Sequence, residues 1–183
     1  MLTEKETTRI SKFLSLVLRH QPETIGIHLD ENGWTDVASL LEKMNAHGQR
    51  LSFEILEYVV ATNNKRRFAF NDDQTCIRAS QGHSVEVDLG YSPAQPPEIL
   101  YHGTAQQNIA SILQHGLEKR SRQHVHLSAD TATATKVGQR HGMAQVLLVK
   151  AGKMNGDGFT FYLSANGVWL TDYVPAVYIS TFP

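Results

Sequence analysis

The chain has 183 residues, enough for one large domain or two small ones that each bury a hydrophobic core. Its 17 basic and 18 acidic residues give a net charge of -1, which argues against a protein that coats nucleic acid through bulk basicity. The single cysteine, Cys76, excludes an internal disulfide and a cysteine-based zinc site and fits a reducing compartment. The polar N-terminus and the lack of a long apolar run predict no signal peptide and no membrane span, so we expect a cytoplasmic protein.

The first half of the chain shows three amphipathic helices followed by a hairpin. A capping box at Thr3–Glu6 begins the first helix, in which apolar residues recur at helical spacing. A second helix begins at Thr35 or Asp36, and a third follows Ser52. The stretches RFAF and TCIRA flank a turn, and HSVEVDLG alternates like a further strand. This order indicates an α+β domain of the winged-helix type.

A segment rich in proline and glycine, GYSPAQPP at 90–97, predicts a linker between a domain over 1–90 and another over 98–183. Beyond it, short strands such as ILYHGT, HVHLS, QVLLVKA, FTFYLS and GVWLTDYV are separated by turns or brief helices. The dipeptide Asn166-Gly167 predicts a hairpin turn. One helix is expected over about 106–115, ending at Gly116, and another over TATATKVGQ. The second half is therefore predicted to be rich in strands.

Two basic clusters in the first half could carry chemistry. Arg19 and His20 end the first helix, with Arg19 opposite the apolar stripe and His20 at its edge. Cations in a last turn interact favourably with the helix dipole, so a purely structural role also explains this pair. In the KRRF stretch, strand alternation places Arg66 and Arg67 on opposite faces, and a solvated turn is the alternative interpretation.

The stretch KRSRQHVHLS, residues 119–128, is predicted to be a basic loop followed by a strand. His124, His126 and Ser128 share one face of that strand, while Val125 and Leu127 share the other. Because valine and leucine need a core, the histidines are expected to line the opposite surface. An HxH pair can bind zinc, but the chain has no HExxH motif and no carboxylate cluster nearby in sequence. A zinc site and surface histidines without a role both stay open.

The stretch Tyr101-His102-Gly103-Thr104 adds a weaker signal. A glycine at the end of a predicted strand lets the backbone come close to a ligand. The phosphate-binding patterns GxxxxGK[ST] and GxGxxG are absent from the sequence, which excludes a P-loop and a Rossmann fingerprint. Any dinucleotide must therefore be held in another way.

Along nearly its full length the chain resembles the RNA 2'-phosphotransferases (tRNA 2'-phosphotransferase, KptA type). The resemblance is carried by SKFLSLVLRHQP, KRRF, YHGT, the segment from HGL through RQHVHLS, and NGVWLTDYVP. It implies a winged-helix N-terminal lobe that binds RNA phosphate and a C-terminal lobe of the ADP-ribosyltransferase type, in which a split β-sheet binds NAD. It also implies an enzyme that consumes NAD to remove an internal 2'-phosphate from RNA, such as the mark left by tRNA splicing.

The resemblance also assigns residues. The family's catalytic Arg-His-Arg-Arg set, which is expected to contact the RNA 2'-phosphate, corresponds by motif position to Arg19, His20, Arg67 and Arg122. Arg66 is the nearest competitor for the third place, and alternation together with the RF dipeptide favours Arg67. The expected NAD-binding residues are Tyr101, His102, Gly103, Thr104, Gly116, Leu117, His124, His126 and Ser128.

The chemistry implied by the family requires no metal, and nothing in the sequence demands a protein partner, so a monomer that acts on 2'-phosphorylated RNA is expected. Two alternatives stay open. One is an ADP-ribosyltransferase that leaves ADP-ribose on a nucleic-acid phosphate or a protein without a second step. The other is a nucleic-acid-binding regulator that uses the winged-helix lobe and does not bind NAD.

Overall fold

The computed structural model describes residues 2–182, apart from the side chain of His141. The chain divides into two compact units whose boundary falls between Gly90 and Tyr91. Within the described residues it forms six α-helices and four small sheets, all of them antiparallel, so the fold is a mixture of helix and sheet. In this part of the chain no helix has the length and apolar character needed to cross a bilayer.

As far as the structure describes it, the first unit contains three α-helices and one sheet. Its elements in chain order are α1 (Glu4–Arg19), β1 (Thr35–Asp36), α2 (Val37–Ala46), α3 (Phe53–Ala61), β2 (Phe68–Phe70) and β3 (Cys76–Ala79). The sheet has the order β1-β3-β2, and the predicted hairpin is confirmed as β2 and β3, with Phe68 opposite Ala79. The apolar stripe of α1 is buried in the core of this unit, with Leu14 and Leu18 fully inaccessible to solvent.

All three helix starts in this unit follow the side chains that the sequence indicates. The hydroxyl of Thr3 accepts the N–H of Glu6, and a carboxylate oxygen of Glu6 accepts the N–H of Thr3 at 2.8 Å, which confirms the capping box. Asp36 caps α2 and Ser52 caps α3, each by accepting a backbone N–H three residues ahead. These caps satisfy amides that have no partner inside the helix.

The predicted strand HSVEVDLG does not form, since residues 83–90 contain no strand. The backbone N–H groups of Ser84 and Val85 instead donate to the carbonyl oxygen of Arg19, at 2.9 and 3.3 Å. The N–H of Asp88 donates to the carbonyl oxygen of Glu31 at 2.7 Å. These backbone N–H groups therefore donate to the end of α1 and to a turn, and not to the carbonyl groups of a neighbouring strand.

The second unit is built from strands with short helices between them. Its elements are β4 (Leu100–Ala105), α4 (Ile109–His115), β5 (Leu117–Glu118), β6 (Val125–Leu127), α5 (Thr131–Gly138), β7 (Ala144–Val149), α6 (Ala151–Gly156), β8 (Tyr162–Leu163), β9 (Trp169–Thr171), β10 (Tyr173–Val174) and β11 (Ile179–Thr181). Three-stranded sheets have the orders β11-β7-β4 and β6-β9-β8, and β5 pairs with β10. The hairpin at Asn166-Gly167 is confirmed between β8 and β9, while α6 was not predicted.

An isolated β-bridge joins the sheet of β4 to the end of β6. The N–H of Tyr101 donates to the carbonyl of Ser128 at 2.9 Å, and the N–H of Ser128 donates back at 2.7 Å. The proline-rich segment at 90–97 also takes part in this unit, because Pro93 bridges Tyr162 and the N–H of Ala94 donates to the carbonyl of Phe161. The bridge places the YHGT and HVHLS stretches side by side.

Gly103 lies inside β4 rather than at the end of the strand, where the sequence placed it. A Cβ atom at this position would lie 1.7 Å from the carbonyl oxygen of Ala134 and 3.0 Å from the amide nitrogen of Gly138, both in α5. The missing side chain therefore lets α5 pack directly on the strand backbone. Helix packing explains this glycine, and close approach of a ligand on that face does not.

Candidate functional site

The first candidate cluster lies at the end of α1. Arg19 is the last residue of this helix and is half-buried, whereas His20, the C-terminal cap, is exposed. The backbone N–H of His20 donates to the carbonyl of Leu16 at 2.9 Å, so the last turn of α1 is complete. The pair is therefore fixed by a regular helix end, with the imidazole at the surface of this unit.

Arg67 lies next to this pair, although 48 positions separate it from Arg19 in sequence. One guanidinium nitrogen of Arg19 (Nη2) donates to the carbonyl oxygen of Arg67 at 3.4 Å, and the N–H of Ser80 in the hairpin donates to the same oxygen at 2.8 Å. The guanidinium of Arg67 donates to Oδ1 of Asn63 at 3.4 Å. Three of the four residues that the resemblance assigned to phosphate, including His20, are thus close together in the first unit.

Arg66 differs from Arg67 in both exposure and backbone. Its φ is 42°, in the left-handed region, and its side chain is exposed. Strand β2 begins only at Phe68, so the alternation used to separate the two arginines does not extend back to Arg66. The structure separates them in another way, because Arg67 is half-buried beside Arg19 while the hydroxyl of Ser80 holds the carbonyl of Arg66 at 2.8 Å.

The sequence analysis did not assign the segment His83 to Val85 to this cluster, although it contacts Arg19 and His20. The hydroxyl of Ser84 lies 2.9 Å from Nδ1 of His20. His83 is 1% exposed, and neither of its ring nitrogens has a hydrogen-bond partner within residues 2–182. Burial lowers the pKa of His83 to about 4, and the nearby charges of Arg19, His20 and Arg78 act in the same direction. His83 is therefore a neutral ring beneath a cationic surface.

The second candidate cluster lies in the second unit and centres on His126. A guanidinium nitrogen of Arg122 donates to Nδ1 of His126 at 3.1 Å. Nδ1 of His102, on β4, donates to the backbone carbonyl of His126 at 3.1 Å. Arg122, His126 and His102 therefore form a continuous chain of contacts. The predicted alternation is confirmed here, since Val125 and Leu127 are buried while the ring of His126 is on the other face of β6 and half-buried.

The hydrogen bond to His126 also determines the state of His102. Burial lowers the pKa of His102 and the cations Arg122 and Arg120 lower it further, whereas the bond to the carbonyl of His126 acts in the opposite direction. The ring is neutral and carries its hydrogen on Nδ1, which leaves Nε2 as a hydrogen-bond acceptor. Such an atom can accept a bond from a hydroxyl group, including a ribose hydroxyl.

His124 belongs to an aromatic group beside this cluster. Its ring centroid is 5.6 Å from that of Tyr162 and 6.3 Å from that of Tyr91, both in edge-on geometry. Burial lowers the pKa of His124 against the opposing effect of Asp172. His124 therefore contributes a largely neutral, flat surface next to the strand that carries His126.

The remaining residues that the resemblance assigned to NAD binding make mainly structural contacts. Leu117 is in the core at 4% exposure, and Thr104 is buried at 6%, with its hydroxyl accepting the side-chain amide of Asn108. Gly116 ends α4 with a φ of 86°, and a Cβ atom there would lie 2.3 Å from the carbonyl oxygen of Val174. The backbones of Tyr101 and Ser128 form the inter-sheet bridge. These positions therefore make structural contacts within the second unit, whereas the polar side-chain contacts of the cluster come from Arg122, His126 and His102.

A metal centre receives no support from the side chains that the structure describes. Among them no three histidine, cysteine, aspartate or glutamate residues come together as a metal-binding group. Nδ1 of His126 accepts a hydrogen bond from Arg122, so this ring nitrogen is already occupied. A guanidinium at this atom opposes a bound cation.

Comparison with known proteins identifies the family of this chain. A model of the RNA 2'-phosphotransferase, Tpt1 / KptA family matches residues 5–173. A probable RNA 2'-phosphotransferase of Flavobacterium johnsoniae is 58% identical over 178 residues, which cover 97% of this chain and 98% of that protein. Proteins of the same description from Rhodopirellula baltica and Agrobacterium fabrum are 54% and 56% identical, covering 100% and 95% of this chain and 100% and 94% of their own lengths. The chain therefore belongs to the RNA 2'-phosphotransferase, Tpt1 / KptA family.

Proposed function

We propose that this protein removes an internal 2'-phosphate from RNA and consumes NAD as the co-substrate. The family and the names of its relatives support the substrate. One observation supports the second reactant: Arg122, a cation suited to phosphate, and His102, a neutral acceptor suited to a ribose, both contact His126. A phosphate and a ribose that bind to these groups would be close enough to react.

The proposed reaction has two steps. In the first, an oxygen of the RNA 2'-phosphate attacks the ribose carbon that bears nicotinamide, and nicotinamide leaves. In the second, the neighbouring ribose hydroxyl attacks the phosphorus, and the RNA hydroxyl leaves to give ADP-ribose 1''-2''-cyclic phosphate. The second step moves one proton from the attacking hydroxyl to the departing oxygen.

The side chains match the charges in this reaction. Arg19, Arg67 and Arg122 are guanidiniums, which stay protonated and can each bind two phosphate oxygens in parallel. Such fixed cations stabilise the charge that builds on phosphorus oxygens in the second step. His20 is exposed at the helix end and is suited to transfer the proton or to donate to phosphate near neutral pH.

The finer architecture is part of the same proposal. Three helices and the sheet β1-β3-β2 in the first unit support a winged-helix lobe that binds RNA. In the second unit, two three-stranded sheets joined at Tyr101 and Ser128 support a split sheet of the ADP-ribosyltransferase type that binds NAD. The single cysteine supports a reducing, cytoplasmic setting for the enzyme.

The test is an incubation of the full chain with NAD and an oligoribonucleotide that carries one internal 2'-phosphate. We expect RNA with a free 2'-hydroxyl, nicotinamide and ADP-ribose 1''-2''-cyclic phosphate in equal amounts, at the same rate with and without a metal chelator. An oligonucleotide of the same sequence with a 2'-hydroxyl is the control and should leave NAD intact. A stable ADP-ribosylated RNA would indicate an ADP-ribosyltransferase without the second step, and unchanged NAD would contradict the proposal.

A further inference from the structure

The hydroxyl group of Ser84 contacts both residues of the pair that ends α1. Its oxygen is 2.9 Å from Nδ1 of His20 and 3.5 Å from the carbonyl oxygen of Arg19. The backbone N–H groups of Ser84 and Val85 already donate to that same carbonyl, so the helix end does not depend on the hydroxyl. The shorter contact of the hydroxyl is with the imidazole, which suggests that the side chain acts on His20.

A serine hydroxyl can serve this imidazole in both of its protonation states. When the ring is neutral with its hydrogen on Nε2, the hydroxyl donates to the lone pair of Nδ1. When the ring is an imidazolium, Nδ1–H donates to the hydroxyl oxygen, and the hydroxyl hydrogen can turn toward the carbonyl of Arg19. That carbonyl lies at the negative end of the helix dipole, which favours the charged ring. No backbone movement is needed when a proton arrives or leaves.

We infer that Ser84 is a positioning residue for His20, whose Nδ1 it engages so that Nε2 is the atom that meets the RNA phosphate. The inference rests on the proposed function, in which His20 transfers or donates a proton. The segment that carries Ser84 is well suited to this task. His83, immediately before it, is buried at 1% exposure, and Ser84 and Val85 are tied to α1 by two backbone hydrogen bonds. The hydroxyl is therefore presented from a fixed backbone.

Substitution of Ser84 separates this role from a structural one. Ser84→Ala keeps both backbone donors and removes only the hydroxyl, so the thermal midpoint should stay within a degree or two of the wild type. We expect kcat for 2'-phosphate removal to fall about tenfold, the lower end of the loss seen when the partner that orients a metal-bound histidine is removed, with little change in KM for NAD. Ser84→Thr restores a hydroxyl and should recover most of the rate.

Ser15→Ala is the matched control. The hydroxyl of Ser15 also bonds to a helix carbonyl, that of Ser11 at 2.8 Å, one turn earlier on α1. This variant should turn over at the wild-type rate. A wild-type rate for Ser84→Ala, or an equal loss for Ser15→Ala, would overturn the inference.

A second measurement does not depend on activity. Long-range nitrogen–proton NMR spectra of the histidine rings report which nitrogen carries the hydrogen, and the His20 signals are identified by their loss in His20→Asn. At alkaline pH we expect the Nε2–H form of His20 in the wild type and a mixture of both forms in Ser84→Ala. Identical ring spectra in the two proteins would refute the contact. If the wild type fails to remove the 2'-phosphate from RNA, the proposed function fails, and the spectra still decide whether Ser84 controls the ring.

Discussion

His83→Leu should make the first unit less sensitive to acid. Burial holds the pKa of His83 at about 4, against 6.5 for an ordinary histidine, so between these values the unfolded chain binds a proton that the folded chain does not. Stability therefore rises with pH across this range and is lost as the pH falls through it. The charges that face the ring and oppose its protonation are Arg19 and His20 at the end of α1 and Arg78 on β3.

The size of the effect follows from the pKa difference. A pKa difference of roughly 2.5 units corresponds to about 3 kcal/mol of unfolding free energy, since one unit is about 1.4 kcal/mol. The whole of this amount is lost at a pH below both pKa values. At pH 5 the wild type should have lost about 2 kcal/mol of its unfolding free energy through this ring, and at pH 4 about 3 kcal/mol. Leucine does not titrate, so the variant should not show this loss. At pH 8 the variant should be at least as stable, because it removes two unpartnered ring nitrogens.

Urea unfolding followed by tryptophan fluorescence measures these free energies. The chain has two tryptophans, Trp34 in the first unit and Trp169 in the second, so a Trp169→Phe background makes Trp34 the reporter. Trp34 lies under the guanidinium of Arg78, with 4.4 Å between the guanidinium carbon and the ring centroid. A constant difference between wild type and His83→Leu from pH 8 to pH 4 would refute the argument. Ser15→Ala, which keeps His83, should retain the wild-type pH dependence.

Three further predictions concern single residues. Arg122→Ala should slow removal of the 2'-phosphate from RNA by about a hundredfold or more. Its circular dichroism spectrum should be unchanged because Arg122 is exposed, and wild-type turnover would remove it from the site. Arg67→Ala should cost much more activity than Arg66→Ala in the same oligonucleotide assay, and the opposite order would reassign the third position of the arginine set. Gly103→Ala should destabilise the second unit by about 3 kcal/mol or more, because its Cβ would meet the backbone of α5, whereas Gly156→Ala, with open space around it, should change the thermal midpoint little.

The helix starts and turns could be predicted because their causes are local in sequence. Thr3 and Glu6 cap α1 by hydrogen bonds that span three residues, and the glycine of Asn166-Gly167 takes the positive φ that its turn needs. The alternation from Val125 to Leu127 likewise depends only on which side chains need a core. In each case a short window of sequence contains all the groups that interact.

The features that escaped prediction depend on contacts between distant parts of the chain. Ser84 pairs with His20 across 64 positions, and its stretch alternates like a strand although its amides bond to a helix end. The tight space at Gly103 is created by α5, which follows about thirty residues later. The positive φ of Arg66 was not predicted, because arginine rarely adopts this backbone conformation. The spacing of apolar residues and the composition of a segment do not indicate which distant segment it will contact.

The two amides that bond to the carbonyl of Arg19 offer a way to observe this site without changing any residue. Backbone hydrogens of Ser84 and Val85 can exchange with solvent only when the end of α1 and this segment separate. Their exchange rates therefore measure the free energy of that local opening in the unmodified protein. An RNA phosphate that binds Arg19 and His20 should slow exchange at these two positions, so deuterium uptake can follow the occupancy of the site before any chemistry occurs.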